Sequence, residues 1–162
     1  MHPDDKQLSE AAGKAVIIEA SSKLGIAELH TALSANAAKH GVAQIFDPGR
    51  VISRTHIVGA YLNALYALSE RRNIAKNAAT EMLLFAAMTR KISDAIELVG
   101  AKKSSDFILF CSDRNMLKEV SDLISSSKEF RPGKSSSGLA SRALDVENDD
   151  VAVLQKMALS RL

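Results

Sequence analysis

The segment Met82-Leu83-Leu84-Phe85-Ala86-Ala87-Met88 places the strongest constraint on how this chain can fold. It follows Asn77, a residue type that caps helix N-termini, and it is apolar on every side of a helix. A helix with no polar face has to be wrapped by the rest of its domain, so residues 77–89 read as the central helix of a core. The run is also far short of the roughly 20 apolar residues needed to cross a bilayer. With 162 residues, 46% hydrophobic and 25% charged, the chain can build one such core and is too short for two ordinary domains. Residues 1–162 are therefore read as a single domain.

Around that helix the pattern alternates between strands and helices. Lys14 to Ala20 is rich in β-branched residues and reads as a buried strand, followed by a helix over Ile26 to His40 stopped by Gly41. Val42 to Phe46 reads as a second strand running into the turn Asp47-Pro48-Gly49. Thr55 is the expected cap of a helix carrying Ile57, Tyr61, Ala64, Leu65 and Leu68 on one face, and a further helix with Ile92, Ala95, Ile96 and Val99 stops at Gly100. Asp106 to Cys111 is the clearest strand and belongs in the sheet centre; Arg114 to Ile124 is helical by spacing. Ser125 to Ser141 reads as a mobile Ser/Gly-rich loop, with an edge strand near Leu139 to Val146, and Asp149 to Leu162 closes the chain as a helix. Without a regular βαβ rhythm, these elements predict an α+β domain: a small mixed sheet covered by several helices.

Catalytic and metal motifs are not recognisable. Gly133-Lys134-Ser135 matches the tail of a P-loop, but Lys128 stands where its first glycine should be. Ser125-Ser126-Ser127-Lys128 fits an S-x-x-K spacing by composition alone. His2, His30, His40 and His56 show no ligand spacing with Cys111, so no metal or cofactor is expected. A lone cysteine at the end of an apolar strand reads as a small buried hydrophobe, and it suits a reducing compartment. The N-terminus MHPDDKQLSE has acids where an export signal needs bases. The cytoplasm is the expected location.

Net charge is only +2, yet it is unevenly distributed. Residues 1–49 hold four bases and six acids, residues 50–103 nine and four, and residues 104–162 eight and nine. The basic centre contains Arg50, Arg54, Arg71, Arg72, Lys76, Arg90, Lys91, Lys102 and Lys103, at or beside predicted element ends, where several could converge on a phosphate. Solvated bases scattered between helices would give the same count. An aromatic content of 4% argues against a sheet that stacks bases.

The stretch from His56 to Gly100 resembles the smallest subunit of the KEOPS complex, the family of human TPRKB. The shared features are the opening His56, Asn73-Ile74 with Lys76, Glu81 with Leu83-Leu84, Arg90 with Ile92, and Ala95-Ile96 before Gly100. The ending AVLQKMALSRL is similar to the family's last helix. Where the family usually has Ser-Gly or similar this chain has Ala87-Met88, and it has Lys91 in place of Gln. The resemblance implies a noncatalytic subunit that holds the single-stranded CCA end of tRNA. It also implies docking on a kinase-like ATPase subunit, which in turn binds the subunit that places threonylcarbamoyl on tRNA adenosine 37. Carried over by position, Lys76, Arg90 and Ile92 fall on family positions that hold the tRNA end, with Lys91 beside them.

The chemistry of these residues is compatible with that role. Lys76 precedes a helix N-terminus, where anions are favoured. Arg90 is 14 residues further on, about 21 Å along an unbroken helix, so one phosphate could not touch both while a short extended strand could. By spacing alone Ile92 is a core position, and Lys91 reads equally as a solvated charge. In the last helix, Val151, Leu154, Met157, Ala158 and Leu162 belong to an apolar surface wider than one contact requires, which suggests a protein partner. Three functions are therefore distinguished: a tRNA-end-binding and kinase-docking subunit, a pure protein adaptor without RNA binding, and, least favoured, a small enzyme.

Overall fold

The computed structural model describes residues 3–131, 140, 142–146 and 149–161. Among them the order is α1 (Asp5–Lys14), β1 (Val16–Ser21), α2 (Ile26–His40), β2 (Ala43–Phe46), a 3-10 turn (Pro48–Arg50), α3 (Arg54–Ser69), α4 (Ala78–Ala87) and α5 (Ile92–Val99). Then come β3 (Phe107–Cys111), α6 (Arg114–Val120), a second 3-10 turn (Ser121–Leu123), β4 (Ser126–Glu129) and α7 (Asp150–Leu159). The α+β expectation holds. Every pairing in the four-stranded sheet, ordered β2-β3-β1-β4, is antiparallel, so the sheet is not mixed.

The period-2 alternation of the strands divides the core into two layers. Phe107, Leu109 and Cys111 of β3 pack with Ala20, Ile45, Leu29, Leu33 and Met116 beneath α2 and α6. Ile108 and Phe110 point the other way, into a core shared with Ile57 and Tyr61 of α3 and the apolar residues of α4. Tyr61 and Phe110 meet with ring centroids 4.8 Å apart. Because both faces of β3 are covered, it reads as a continuous apolar run rather than an alternating one. Burial also pushes the Cys111 thiol up to about 12, so it packs as a hydrophobe.

In the central helix α4 every residue from Glu81 to Ala87 is buried, as the sequence requires. Asn77 caps it, accepting from Thr80 N at 2.9 Å. Two polar side chains fasten it to its neighbours. Gln44 of β2 donates from Nε2 to Ala79 O (2.9 Å), and His56 of α3 bonds through Nε2 to Ala86 O (2.8 Å) while its Nδ1 accepts from Ile52 N (3.1 Å). Those two bonds fix His56 as the neutral tautomer protonated on Nε2.

Four local expectations are corrected. Helix α1 stands where no element was foreseen; Asp4 and Gln7 form a capping box, but no residue of α1 is buried, so no hydrophobic stripe marks it. Lys14 consequently ends α1, and the first strand begins at Val16. The cap of α3 is Ser53, not Thr55; Ser53 Oγ accepts from His56 N (3.2 Å) and donates to Asp150 Oδ1 (2.6 Å). The edge strand is Ser126–Glu129, paired with β1 from Ser21↔Ser126 to Ile18↔Glu129, whereas Ala140, Arg142 and Ala143 are helical. All four residues of β4 are exposed, so no apolar alternation announces a strand that the β1 ladder and the Ser21–Ser126 hydroxyl contact at 2.6 Å hold in place. Residues 132–139 and 141 of the expected loop lie outside the described residues.

Burial lowers the His56 pKa below 6.5, opposed in part by its bond to Ala86 and by Asp150. The unfolded chain therefore binds a proton that the folded one refuses. The resulting stability is present above pH 6.5 and is lost as pH falls below it. Urea midpoints should drop between about pH 7 and about pH 5, and His56→Gln should flatten that drop. His30, lowered by its own burial, contributes in the same direction and would account for any remainder.

Candidate nucleic-acid interface

Two helix ends shape a basic concavity. At the end of α3, Arg71 adopts a left-handed backbone (φ 58°), its N–H bonding Leu68 O (3.2 Å) while Arg72 N–H bonds Ala67 O (2.8 Å). At the end of α4, Met88 does the same (φ 56°, ψ 42°), with Met88 N–H on Phe85 O (3.0 Å) and Thr89 N–H on Leu84 O (3.1 Å). This paired bonding is the Schellman termination, which favours glycine at the left-handed residue. Here methionine holds that backbone at a cost of roughly 1–2 kcal/mol, offset by packing its side chain on the core.

Each turn delivers an arginine to the carbonyl end of a helix, where the dipole favours a cation. Arg72 and Arg90 line a cavity of about 300 Å³ together with Asn63 and Tyr66 of α3, Phe85 of α4, and Ala158 and Arg161 at the end of α7. Both Arg72 and Arg90 are exposed, and neither is paired with a carboxylate among the described residues. Arg161 differs. Its side chain is 11% exposed, its Nη2 donates to Glu81 Oε1 at 2.5 Å, and its guanidinium lies 4.1 Å from the Phe85 ring centroid. Its Nε–H has no partner among the described residues. Glu81 is fully buried and also accepts from Ile74 N (3.0 Å) and Ala75 N (2.7 Å) through Oε2.

Planar donors beside aromatic rings and a small apolar wall suit a phosphodiester carrying an unstacked base. No group of three or more His, Cys, Asp or Glu that could hold a metal occurs among the described residues. A larger concavity, about 540 Å³, lies between α2, β2 and the start of α4, lined by His30, Leu33, Ala37, Ala78 and Leu83 among others, without an arginine or lysine.

Of the residues singled out in the sequence, Arg90 lies in the basic cavity. Lys76 is exposed two residues ahead of α4, at its opposite end, and Lys91 is the exposed N-cap of α5. The path from Lys76 to Arg90 is not one helix: α4 has ten residues, about 15 Å, and turns at Met88. Ile92 is 38% exposed, so it is a surface residue and not the core position its spacing suggested. Sequence reasoning missed Arg161, Tyr66 and Phe85 as cavity residues, and counted Arg72 only as part of the basic segment. No local pattern connects positions so far apart.

The apolar residues of α7 divide between exposed and buried positions. Val151, Leu154 and Ala158 are exposed, together with Leu159. Met157, expected among them, is fully buried with Val153, facing α3, where Asn63 Nδ2 lies 3.4 Å from its sulfur. At 3.6 residues per turn Val151 lies well away from the Val153 and Met157 stripe, whereas Leu154 flanks that stripe and reaches α3 at Gly59. Gly59 permits the close approach of α7, since a Cβ there would stand 2.7 Å from Leu154 Cδ2. Leu162 lies outside the described residues. No helix among the described residues is long and apolar enough to cross a membrane.

The family model described as "Kinase binding protein CGI-121" matches residues 18–147. The chain belongs to this family. A curated relative, the KEOPS complex subunit Cgi121 of Pyrococcus abyssi (strain GE5 / Orsay), is 29% identical over 123 residues, covering 74% of this chain and 72% of the relative. The resemblance carried by His56 to Gly100 is thereby borne out. The family match begins within β1, includes Arg72, Phe85 and Arg90, and ends before α7, so Arg161 and the exposed apolar face lie beyond it.

The two kinds of arginine should separate in stability measurements. Arg161→Met strands a fully buried carboxylate and should cost about 3 kcal/mol, whereas Arg90→Met at the exposed rim should stay within about 0.5 kcal/mol, both read from urea unfolding.

Proposed function

We propose that this protein is a noncatalytic subunit of a KEOPS complex. In that role it holds the single-stranded CCA end of tRNA and docks on the kinase-like ATPase subunit, through which it meets the subunit that forms threonylcarbamoyladenosine at position 37. The observation that carries this reading is the convergence of Arg72, Arg90 and Arg161 with Tyr66 and Phe85 around one cavity, two of those arginines within the family-matched segment. Arg90 and the neighbouring Lys91 supply cations for consecutive phosphates, and Ile92 an apolar wall without base preference. Lys76, beyond the far end of α4, extends the track to further nucleotides. The names of the family and of the Pyrococcus relative support association with a kinase and with KEOPS. The role needs no cofactor and no membrane, and it suits the cytoplasm.

The exposed face of α7, with Val151, Leu154 and Ala158, favours a protein partner and is the surface we assign to the kinase-like subunit. Taken alone, that face would also fit an adaptor with no RNA binding of its own. Gel shifts with intact and CCA-trimmed tRNA decide between the two. The tRNA-binding reading expects trimmed tRNA to bind more weakly, Lys76→Glu and Arg90→Glu each to weaken intact tRNA about tenfold or more, and affinity to fall steeply with salt. Equal binding of the two tRNAs overturns it, and recovery of the kinase-like subunit by a chain with no tRNA affinity establishes the adaptor.

A further inference from the structure

Glu81 is fully buried in a helix that has no polar face, and its carboxylate serves two separate parts of the basic surface. Through Oε2 it pins the backbone N–H groups of Ile74 (3.0 Å) and Ala75 (2.7 Å), and Asn73 Nδ2 closes the same loop onto Ala75 O at 2.8 Å. Lys76 follows immediately, so the place from which its side chain leaves the surface is set by that carboxylate. Through Oε1 it takes Arg161 Nη2 at 2.5 Å, which holds the guanidinium against Phe85 at the wall of the cavity lined by Arg90. Glu81 itself has no exposed surface with which to meet a ligand. Both groups it holds are cationic or carry a cation next in sequence, and they meet at this one carboxylate.

We propose that Glu81 is a positioning residue for RNA binding: it presets the loop that presents Lys76 and the guanidinium of Arg161 as one rigid arrangement, before RNA arrives. This rests on the tRNA-binding reading above. Preorganisation of this kind lowers the ordering cost of binding without adding a contact. By linkage, an RNA that selects the ordered loop also suppresses its opening.

The test uses the full chain and tRNA with an intact CCA end. Glu81→Leu removes both acceptors. Binding should weaken about tenfold, the Ile74 and Ala75 amides should exchange faster, and adding Lys76→Ala should cost less than about twofold more because the lysine is already displaced. Glu81→Gln keeps a carbonyl acceptor for the two amides, so in that background Lys76→Ala should regain most of its cost. Independently of any variant, saturating the wild-type chain with tRNA should slow exchange at Ile74 and Ala75, which decides the matter even if Glu81→Leu does not fold. Additive losses from Glu81→Leu and Lys76→Ala, undiminished binding with loosened amides, or unchanged wild-type exchange on saturation each overturn the proposal. A wild-type chain that binds intact and trimmed tRNA equally sinks the functional reading itself. One that distinguishes them while the Glu81 and Lys76 losses add sinks only the role of Glu81.

Discussion

A helix that is apolar all round leaves its few polar groups nowhere to go but inward, and the satisfaction of those groups organises the rest of this protein. Each attachment to α4 comes from a different part of the chain. Gln44 reaches Ala79 O from the sheet edge, His56 reaches Ala86 O from α3, and Glu81 gathers Ile74, Ala75 and Arg161. Buried polar groups cost free energy unless they are bonded, so these contacts are specific in a way that apolar packing is not. They set the register of α4 against β2 and α3 and tie both to the chain's end.

The basic cavity follows from how α3 and α4 stop. Both terminate in a left-handed residue that is not glycine, and in both the chain then turns to present an arginine to the same hollow. The carbonyl ends of two helices attract cations in any case, which stabilises Arg72 and Arg90 there. With no carboxylate paired to either among the described residues, both present exposed guanidinium groups. Arg161 is already committed to Glu81 and Phe85, and gives the hollow a rigid wall. One group of arginines thus divides into two left exposed at the rim and one held in the wall of the hollow.

Much of this could be read from the residues in order. The central helix, the buried strand at Phe107–Cys111, the Asn77 cap and the basic bias of residues 50–103 all rest on local spacing or on composition, and all are present. The family resemblance rested on the same central stretch. Features with little apolar signature escaped: α1, with nothing buried, and β4, exposed on all four residues. The placement of Met157 failed for a different reason. Its helix is apolar on two sides, and periodicity cannot tell which side meets α3.

By itself, then, the sequence determined an α+β fold built around an enclosed helix, with an excess of positive charge in the segment that contains that helix. Hydrophobic periodicity, caps and turns are interactions between residues a few positions apart, and such interactions are visible in a string of letters. Only the tertiary structure decided that positions 72, 90 and 161 share a cavity, that Lys76 stands ahead of the other end of α4, and that one buried carboxylate bonds both Arg161 and the backbone just before Lys76. Those relations depend on how α3, α4 and α7 pack, through contacts such as α7 over Gly59, and packing brings together residues whose separation along the chain carries no signal.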